Sequence, residues 1–391
     1  MKGCLFVFLG LFFIGLSVVQ PVLAERPPDG YARPPIHVKP SATSSPNGLS
    51  PAQTRHAYGF DLIPNQGAGQ TIGIVDAFDD PNIESDLGVF NTKFGLPACA
   101  TSNGCFQKIY ASGVKPRTSS GWALEIALDV EWAHAIAPQA KILLVEAASS
   151  RLTDLLKAVD VAVLKGASVV SMSWGGGEIS SESSDDSHFT ATGVTFTASS
   201  GDSGNGAEYP AASSFVISVG GTTLNVDSGG NYIGETAWNG SGGGQSVYEV
   251  EPLYQANYPI PNDSNGKRGI PDVAYDGDPN TGFPVYDTLT YSGQSGWFQV
   301  GGTSVGSPQW AALFAIVNSV RAASGKSPLG SASSAVYAVA VSGYAANYND
   351  IASGTNGNCG TLCTASGGYD YITGLGSPRA NNVIPALASQ P

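Results

Sequence analysis

One serine in this sequence stands in a setting that could make it a nucleophile. Ser304 lies in residues 301–308, Gly-Gly-Thr-Ser-Val-Gly-Ser-Pro, just before an apolar stretch that predicts a helix over residues 309–320. At a helix start, unpaired backbone N–H groups and the positive end of the helix dipole favour a developing oxyanion. A serine that merely caps the helix is the alternative. The nucleophile interpretation therefore requires a base elsewhere in the chain.

Two carboxyl groups four residues apart are the candidate base. Glu125 and Asp129 lie in residues 122–137, which predict a helix, and a spacing of four residues puts both carboxyls on one helix face. If the pair is buried, a shared proton that leaves one carboxyl ionised as a base avoids the repulsion of two like charges. The alternative is an ordinary solvated acidic face, of which the neighbouring Glu131 could be part.

A third carboxyl follows an apolar run that predicts a buried strand. Asp202 lies in residues 197–204, Thr-Ala-Ser-Ser-Gly-Asp-Ser-Gly. This stretch is similar to a turn of subtilisin-like enzymes in which an asparagine amide donates a hydrogen bond to the oxyanion. A carboxylate cannot donate a hydrogen bond, whereas a protonated carboxyl can. The sequence therefore predicts chemistry in acid, and a plain Asp-Ser-Gly turn is the alternative.

Together these stretches resemble the sedolisin family of serine-carboxyl peptidases, acid-acting endopeptidases and tripeptidyl peptidases on a subtilisin-like fold. The resemblance runs from about Leu49 to the C-terminus. It implies that Ser304 is the nucleophile, Glu125 the general base, Asp129 the carboxyl that supports the base, and Asp202 the acid that stabilises the oxyanion. It also implies protein and peptide substrates.

Two more residues look like the family's extended proton network. Asp76 follows the predicted strand of residues 71–75, and Trp174 follows the predicted strand of residues 168–172. Either residue could instead be structural, Asp76 by capping the next turn and Trp174 by lining the cleft.

The C-terminal region contains an oxygen-rich, glycine-rich stretch. Two aspartates with intervening backbone carbonyls supply the oxygen ligands that Ca²⁺ prefers, although the spacing alone is typical of turn-rich loops. The resemblance to the sedolisin calcium site implies one structural Ca²⁺ ion. Its expected ligands are the side chains of Asp350 and Asp370 and the main-chain oxygens of Ile351, Ser366 and Gly368. Ser366 departs from the glycine common there, which a carbonyl ligand tolerates.

Two other functions remain open at this point. A neutral subtilisin-type protease would use Asp76, a histidine and Ser304, but its only candidate base, His134, lies in no recognisable motif. A calcium-stabilised binding module that has kept the fold and lost the activity is the non-enzymatic alternative. All four expected catalytic positions carry the residues that the activity needs, which argues against the binding module.

The composition excludes some classes of partner. The formal net charge is −13 while only 13% of residues are charged, which argues against nucleic-acid binding because that function requires a basic surface. Low charge density also suits a protein that works in acid. We expect a monomer with no membrane contact once the signal described below is removed.

The N-terminal region predicts export. Residues 1–24 combine Lys2, an apolar run and a small-residue cleavage site, the pattern of a secretion signal. We therefore expect a secreted, extracellular or periplasmic protein. Residues 25–48 are rich in Pro and Ser and predict a linker or short pro-segment, far shorter than the pro-domain that sedolisins usually carry. The chain is then expected either to fold without the help of a long pro-domain or to use a helper that acts in trans.

The remaining chain, residues 49–391, predicts a single α/β peptidase domain. Strand-like runs alternate with helical stretches, a pattern that predicts a parallel sheet with helices on both faces. The resemblance implies that this sheet is subtilisin-like. Four cysteines lie in the mature chain, and the simplest pairing joins Cys99 to Cys105 and Cys359 to Cys363, although crossed pairings stay open.

Overall fold

A computed structural model of the chain describes residues 27–39, 42–261, 265–330 and 332–391. The predicted signal, residues 1–24, lies outside the described residues. The helices are α1 Pro51–Tyr58, α2 Ile83–Phe94, α3 Ser120–Ile136, α4 Leu152–Leu164, α5 Leu253–Ala256, α6 Gly306–Ala323, α7 Ser333–Asn347 and α8 Ala380–Ser389. The strands are β1 His37–Val38, β2 Thr71–Ala77, β3 Phe106–Tyr110, β4 Lys141–Ala147, β5 Val169–Met172, β6 Gly176–Gly177, β7 Thr195–Ser199, β8 Glu208–Tyr209, β9 Val216–Val226, β10 Tyr232–Ala237, β11 Gly244–Val250, β12 Lys267–Ile270, β13 Val273–Asp276, β14 Phe283–Tyr291, β15 Gln294–Gly301, β16 Tyr348–Asn349 and β17 Ser377–Pro378.

The central sheet confirms the predicted α/β architecture. Its strands lie in the order β10-β9-β7-β5-β2-β4-β3, and β13 also pairs with β9. All of these pairs are parallel except that of β10 with β9. Parallel strands of this kind are connected through helices that cover both faces of the sheet. In such sheets, sites form beyond the carboxyl ends of the strands.

The alternation of side chains along the strands builds two hydrophobic cores. In β2, Ile72 and Ile74 pack with α3 and α6 on one face, while Val75 and Ala77 pack with α4 on the other. Successive side chains of a strand point to opposite faces of the sheet, so Asp76 is on the same face as Ile74. The sheet therefore directs Asp76 toward α3.

Two local structures position the predicted chemistry. Helix α3 is buried from Trp122 to its last residue, including its three carboxyl side chains. Its many apolar residues fit a helix that lies inside the domain. Strand β15 ends at Gly301, and Gly302 then adopts a φ of 121°, a conformation that glycine adopts without strain. The chain continues through a short 3₁₀ turn, Thr303–Val305, into α6. Ser304 thus lies between a strand and a helix, as predicted.

The segment before the domain differs from a free linker. Residues 31–39, which we call the strap, run along the domain surface with Ala32 and Pro35 buried. Strand β1 in the strap pairs with β15, and β14, β15 and β1 form a separate antiparallel sheet. The Pro-rich composition, which lacks apolar periodicity, predicted a linker or a short pro-segment. Main-chain hydrogen bonds, which need no such periodicity, hold the strap instead.

Both predicted disulfides, Cys99–Cys105 and Cys359–Cys363, are present. Each closes a short local loop, so the crossed pairings are excluded. In the part of the chain that the structure describes, no helix has both the length and the apolarity needed to cross a bilayer.

Candidate active site

Ser304 is fully buried beside the first turn of α6. Its main-chain oxygen accepts a hydrogen bond of 3.2 Å from the Ser173 hydroxyl. The same hydroxyl lies 2.8 Å from Asp129 Oδ1. Ser173 therefore links the Ser304 backbone to the carboxyl pair on α3. The sequence analysis did not single out Ser173, although it directly precedes Trp174 at a strand end.

The Glu125 and Asp129 carboxyls lie on the same face of α3, as the spacing predicted, and both side chains are fully buried. Asp76, also fully buried, approaches them from β2 closely enough to raise the pKa of each. A solvated acidic face is therefore excluded. The structure gathers three carboxyl groups beside Ser304.

Burial is the main cause of the pKa values in this group. It raises the pKa of Glu125 well above its usual value, with further increases from Asp76 and Asp202 and an opposing effect of the Ser304 hydroxyl. Burial, Asp76 and Glu125 raise the pKa of Asp129, and the hydrogen bond from Ser173 opposes them. Burial raises the pKa of Asp76 to about 8. The group therefore retains protons well above the pH at which exposed carboxyls lose them.

The lack of hydrogen-bond partners in this group favours protonated carboxyls. Both oxygens of Glu125, both oxygens of Asp76, Asp129 Oδ2 and Ser304 Oγ are buried without a hydrogen-bond partner among the described residues. Ionised carboxylates only accept hydrogen bonds and cannot bond to one another, whereas a protonated carboxyl supplies a donor. Buried polar groups without partners are rare and costly. The arrangement is that of a partly protonated carboxyl cluster next to a serine.

Asp202 is close enough to raise the pKa of Glu125 and is held by the residue before Ser304. Its Oδ1 accepts hydrogen bonds of 2.8 Å from the Thr303 N–H and 2.8 Å from the Thr303 hydroxyl. Burial raises the pKa of Asp202 well above its usual value, while the Thr303 hydrogen bonds lower it. Because Oδ1 accepts the bonds from Thr303, Oδ2 is the oxygen available to carry a proton. Protonated Oδ2 can then donate a hydrogen bond.

The structure shows what each of the remaining candidate residues contacts. His134 Nε2 bonds to the Pro97 carbonyl oxygen at 2.9 Å, and nine residues of helix, about 13 Å along the axis, separate His134 from Glu125. His134 therefore cannot serve Ser304 as a base. Trp174 is fully buried, and its indole N–H donates to the Val75 carbonyl oxygen at 2.8 Å rather than to a carboxyl. Asp76 caps no turn, because neither of its oxygens has a described partner.

The predicted calcium ligands lie around one loop. Asp350 Oδ1 accepts a hydrogen bond of 3.0 Å from Gly368 N–H, and Asp370 Oδ2 accepts one of 3.2 Å from Ser366 N–H. Among hydrogen bonds between described residues, none is accepted by the carbonyl oxygens of Ile351 or Ser366. The carbonyl oxygen of Gly368, the third predicted main-chain ligand, accepts a hydrogen bond of 3.3 Å from the Tyr344 hydroxyl. Two carboxylates and two carbonyl oxygens without such bonds at one glycine-rich loop fit the oxygen-only preference of Ca²⁺.

Comparison with known proteins gives consistent matches. Residues 118–328 match the model described as the subtilase family. The chain is 30% identical over 375 residues to sedolisin from Pseudomonas sp. (strain 101), an alignment covering 87% of this chain and 61% of that protein. It is 32% identical over 384 residues to kumamolisin from Bacillus sp. (strain MN-32), covering 89% and 65%. The chain thus spans less than two thirds of the length of either relative.

A solved structure supports the same similarity. Pseudomonas sedolisin, a serine-carboxyl proteinase complexed with two molecules of pseudo-iodotyrostatin, matches with a TM-score of 0.74 and 30% identity. The match covers 87% of this chain and 98% of that one. A tripeptidyl-peptidase 1 from Dictyostelium discoideum is 27% identical over 338 residues, covering 77% of this chain and 52% of that protein.

Proposed function

Because this chain belongs to the sedolisin family of serine-carboxyl peptidases and has its subtilisin-like fold, we propose that it is an acid-acting endopeptidase. The observation that carries the proposal is the burial of Ser304 beside Glu125, whose pKa its hydroxyl lowers, together with the link through Ser173 from the Ser304 main chain to Asp129. Proteins and peptides are the proposed substrates.

Each residue has a proposed role in peptide hydrolysis. Ser304 Oγ attacks the peptide carbonyl, and Glu125 accepts the hydroxyl proton and returns it to the leaving amine. Asp129, held by Ser173, orients Glu125 and adjusts its proton affinity. Asp202, protonated on Oδ2, donates a hydrogen bond to the developing oxyanion. Water then hydrolyses the acyl-enzyme with the same groups in reversed roles.

The acidic interior outside the site supports work at low pH. Burial raises the pKa of Asp80 to about 7 and that of Asp287 to about 8, and it raises the pKa of Glu131 well above its usual value. A carboxyl with a raised pKa in the folded state contributes stability that is complete below its unfolded pKa. That contribution is lost as the pH rises through the folded pKa. These groups therefore favour the folded chain in acid.

The course of the strap favours endopeptidase over tripeptidyl-peptidase action. Six described residues, 27–32, precede Arg33, which forms an antiparallel bridge with Gly175, and Ala32 N–H donates to the Ser150 carbonyl oxygen at 2.8 Å. On the other side of Ser304, the strap continues along β15. A surface that binds extended chain on both sides of Ser304 suits cleavage inside a long substrate.

Cleavage of a defined peptide mixture at several pH values tests this function. We expect cuts inside the peptides, with the highest rate in acid. If the only products are tripeptides released from free N-termini, the protein is a tripeptidyl peptidase and not an endopeptidase. Fastest hydrolysis well above neutrality would contradict the serine-carboxyl mechanism.

One structural Ca²⁺ ion is proposed at the loop held by Asp350 and Asp370. The ion would add ligand bonds that only the folded chain can make, and a ligand that binds only the native state stabilises it by mass action. With calcium at a hundredfold excess over its Kd, chelation should lower the melting temperature by about 4 °C.

Measuring the melting temperature at several calcium concentrations distinguishes stabilisation by the metal from stabilisation by the hydrogen bonds of the two aspartates. Asp370→Ala should melt at a lower temperature that no longer responds to calcium or chelator. Asp29→Ala, a change at an exposed aspartate, should keep the wild-type response. A calcium-independent wild-type melting temperature would remove the metal from the proposal.

We propose that the protein is exported because residues 1–24 have the pattern of a secretion signal. The two disulfides support it, since such bonds persist in oxidising compartments. The monomeric state stays a prediction.

A further inference from the structure

Ser173 lies between the main chain of Ser304 and the carboxyl pair of α3. It is fully buried just beyond the end of β5. Its Oγ is 3.2 Å from the Ser304 carbonyl oxygen and 2.8 Å from Asp129 Oδ1. A serine hydroxyl has a single hydrogen, although its oxygen can also accept hydrogen bonds. Ser173 therefore donates to only one of these two oxygens at a time.

The Ser304 carbonyl needs this hydrogen because its usual helical donor is missing. Val305 and Gly306 already have helical backbone angles, with φ of −62° and −73° and ψ of −38° and −39°, and Ser307 lies in α6. The N–H of residue 308 would therefore be the helical donor to the Ser304 carbonyl oxygen. Residue 308 is a proline, which has no N–H. Since a carbonyl oxygen can only accept, Ser173 supplies the hydrogen that Pro308 lacks.

Donation to the Ser304 carbonyl determines where the proton of Asp129 lies. Ser173 Oγ can then only accept from Asp129 Oδ1, and this bond requires a proton on Oδ1. In the opposite state, Asp129 is ionised, the hydroxyl donates to Oδ1 and favours the charge there. The Ser304 carbonyl then receives no hydrogen from Ser173. The state with protonated Asp129 makes both hydrogen bonds, and the ionised state makes only one, at the cost of a buried acceptor.

The other carboxyls around Asp129 leave one alternative place for the charge. Asp76 faces Asp129 from β2 and Glu125 faces it from the same helix, and both raise its pKa. Burial raises the pKa of Asp76 to about 8, so Asp76 keeps its proton in acid. Asp202 acts on Glu125, and the Ser304 hydroxyl lowers the pKa of Glu125. In acid, the negative charge of the pair is therefore divided between Glu125 and Asp129.

We propose that Ser173 is a positioning residue that makes Glu125 the base by holding the proton on Asp129, and that Pro308 imposes this arrangement. The inference rests on the proposed peptidase function and concerns how its base is selected. The two hydrogen bonds run from Asp129 to Ser173 and from Ser173 to the Ser304 carbonyl. They exchange no proton with the substrate, because Glu125 alone takes the proton of Ser304 Oγ and returns it to the leaving amine.

Pro308→Ala tests the proposal because it returns an N–H to the Ser304 carbonyl. Ser173 is then free to donate to Asp129, which moves charge from Glu125 to Asp129. One hydrogen bond changes an equilibrium by about two- to tenfold, so the maximum of kcat/KM should fall by up to about tenfold. Since the pair then ionises more readily, the acid limb should move to lower pH by up to about one unit. The rates of the two enzymes should coincide at the acid end and diverge toward the optimum.

Two further variants separate this effect from a change in packing. Without the Ser173 hydroxyl, the added N–H has no route to Asp129. Pro308→Ala combined with Ser173→Ala should therefore have the same acid limb as Ser173→Ala alone. Ser171→Ala is the matched control, because Ser171 is equally buried two residues earlier and its hydroxyl contacts Ser307 Oγ at 2.9 Å rather than a carboxyl. It should leave the shape of the pH profile unchanged.

Infrared spectroscopy gives a second test that does not depend on the folding of Pro308→Ala. The difference between the spectra of the wild type and Asp129→Asn at the pH optimum should show the loss of a protonated carboxyl band. Loss of an ionised carboxylate band instead would overturn the proposal.

The kinetic outcomes distinguish this proposal from the proposed function. An unchanged profile in Pro308→Ala, a loss by the same factor at every pH, or a limb shift that persists without the Ser173 hydroxyl would overturn the role of Ser173 and leave the peptidase function intact. Absence of hydrolysis by both the wild type and Ser171→Ala at every pH would instead contradict the peptidase function.

Discussion

Replacing Ser304 by alanine or Glu125 by glutamine is expected to abolish peptide hydrolysis and to leave the fold intact. Ser304 supplies the attacking oxygen, and Glu125 is the buried carboxyl whose pKa the Ser304 hydroxyl lowers. Because the nucleophile and its base act as a unit, loss of either should reduce kcat by about four to six powers of ten. Initial rates on a peptide substrate, with circular dichroism as the check on folding, measure the effect.

Glu131→Gln is the matched control for Glu125→Gln. Glu131 is on the same helix and equally buried, and burial raises its pKa as well, but its Oε2 accepts a hydrogen bond from Tyr286 N–H at 3.1 Å, away from Ser304. The control variant should retain activity. Near-full activity in Glu125→Gln together with its loss in His134→Ala would replace our assignment by a histidine-dependent mechanism.

Asp202→Asn is expected to slow hydrolysis by about a hundredfold or more, the usual effect of disturbing one oxyanion donor. The asparagine oxygen can still accept from Thr303 N–H, which leaves the amide nitrogen at the position of Oδ2. That nitrogen donates a hydrogen bond at every pH. The remaining activity should therefore extend to higher pH than in the wild type.

The direction of the pH effect follows from the two carboxyl roles. Asp202 must be protonated, so the wild-type rate falls as the pH rises through its pKa, which burial raises. Glu125 must be ionised, so the rate also falls in strong acid, and the bell-shaped profile belongs to the coupled carboxyls. The pH dependence of kcat/KM for both enzymes measures this. An alkaline limb that is unchanged by Asp202→Asn would contradict the role of Asp202.

Much of the site could be predicted from the sequence because local patterns determine it. The four-residue spacing of Glu125 and Asp129 in an apolar stretch predicted that both carboxyls lie on one face of a helix. They do so on helix α3. Asp76 follows a run of β-branched residues and lies at the carboxyl end of β2, beside its parallel neighbours. In these cases one short segment contains all the information needed.

Contacts between distant segments could not be predicted. Strand β1 pairs with Val300 and Gly301, more than 260 positions along the chain, through main-chain groups that have no sequence signature. The Pro-rich strap therefore looked like a linker. Ser173 and Thr303 also escaped notice, since a small hydroxyl residue gains its role only when folding brings a carboxyl within hydrogen-bond distance.

Covalent labelling of Ser304 tests the central claim most directly. A fluorophosphonate reacts with a serine that an adjacent base activates, and peptide mapping locates the adduct. In acid, the account predicts one adduct on Ser304 of the wild type and almost none in Glu125→Gln, while Glu131→Gln labels normally. Labelling of a different residue, or equal labelling of Ser304 in Glu125→Gln, would contradict a nucleophile activated by this carboxyl cluster.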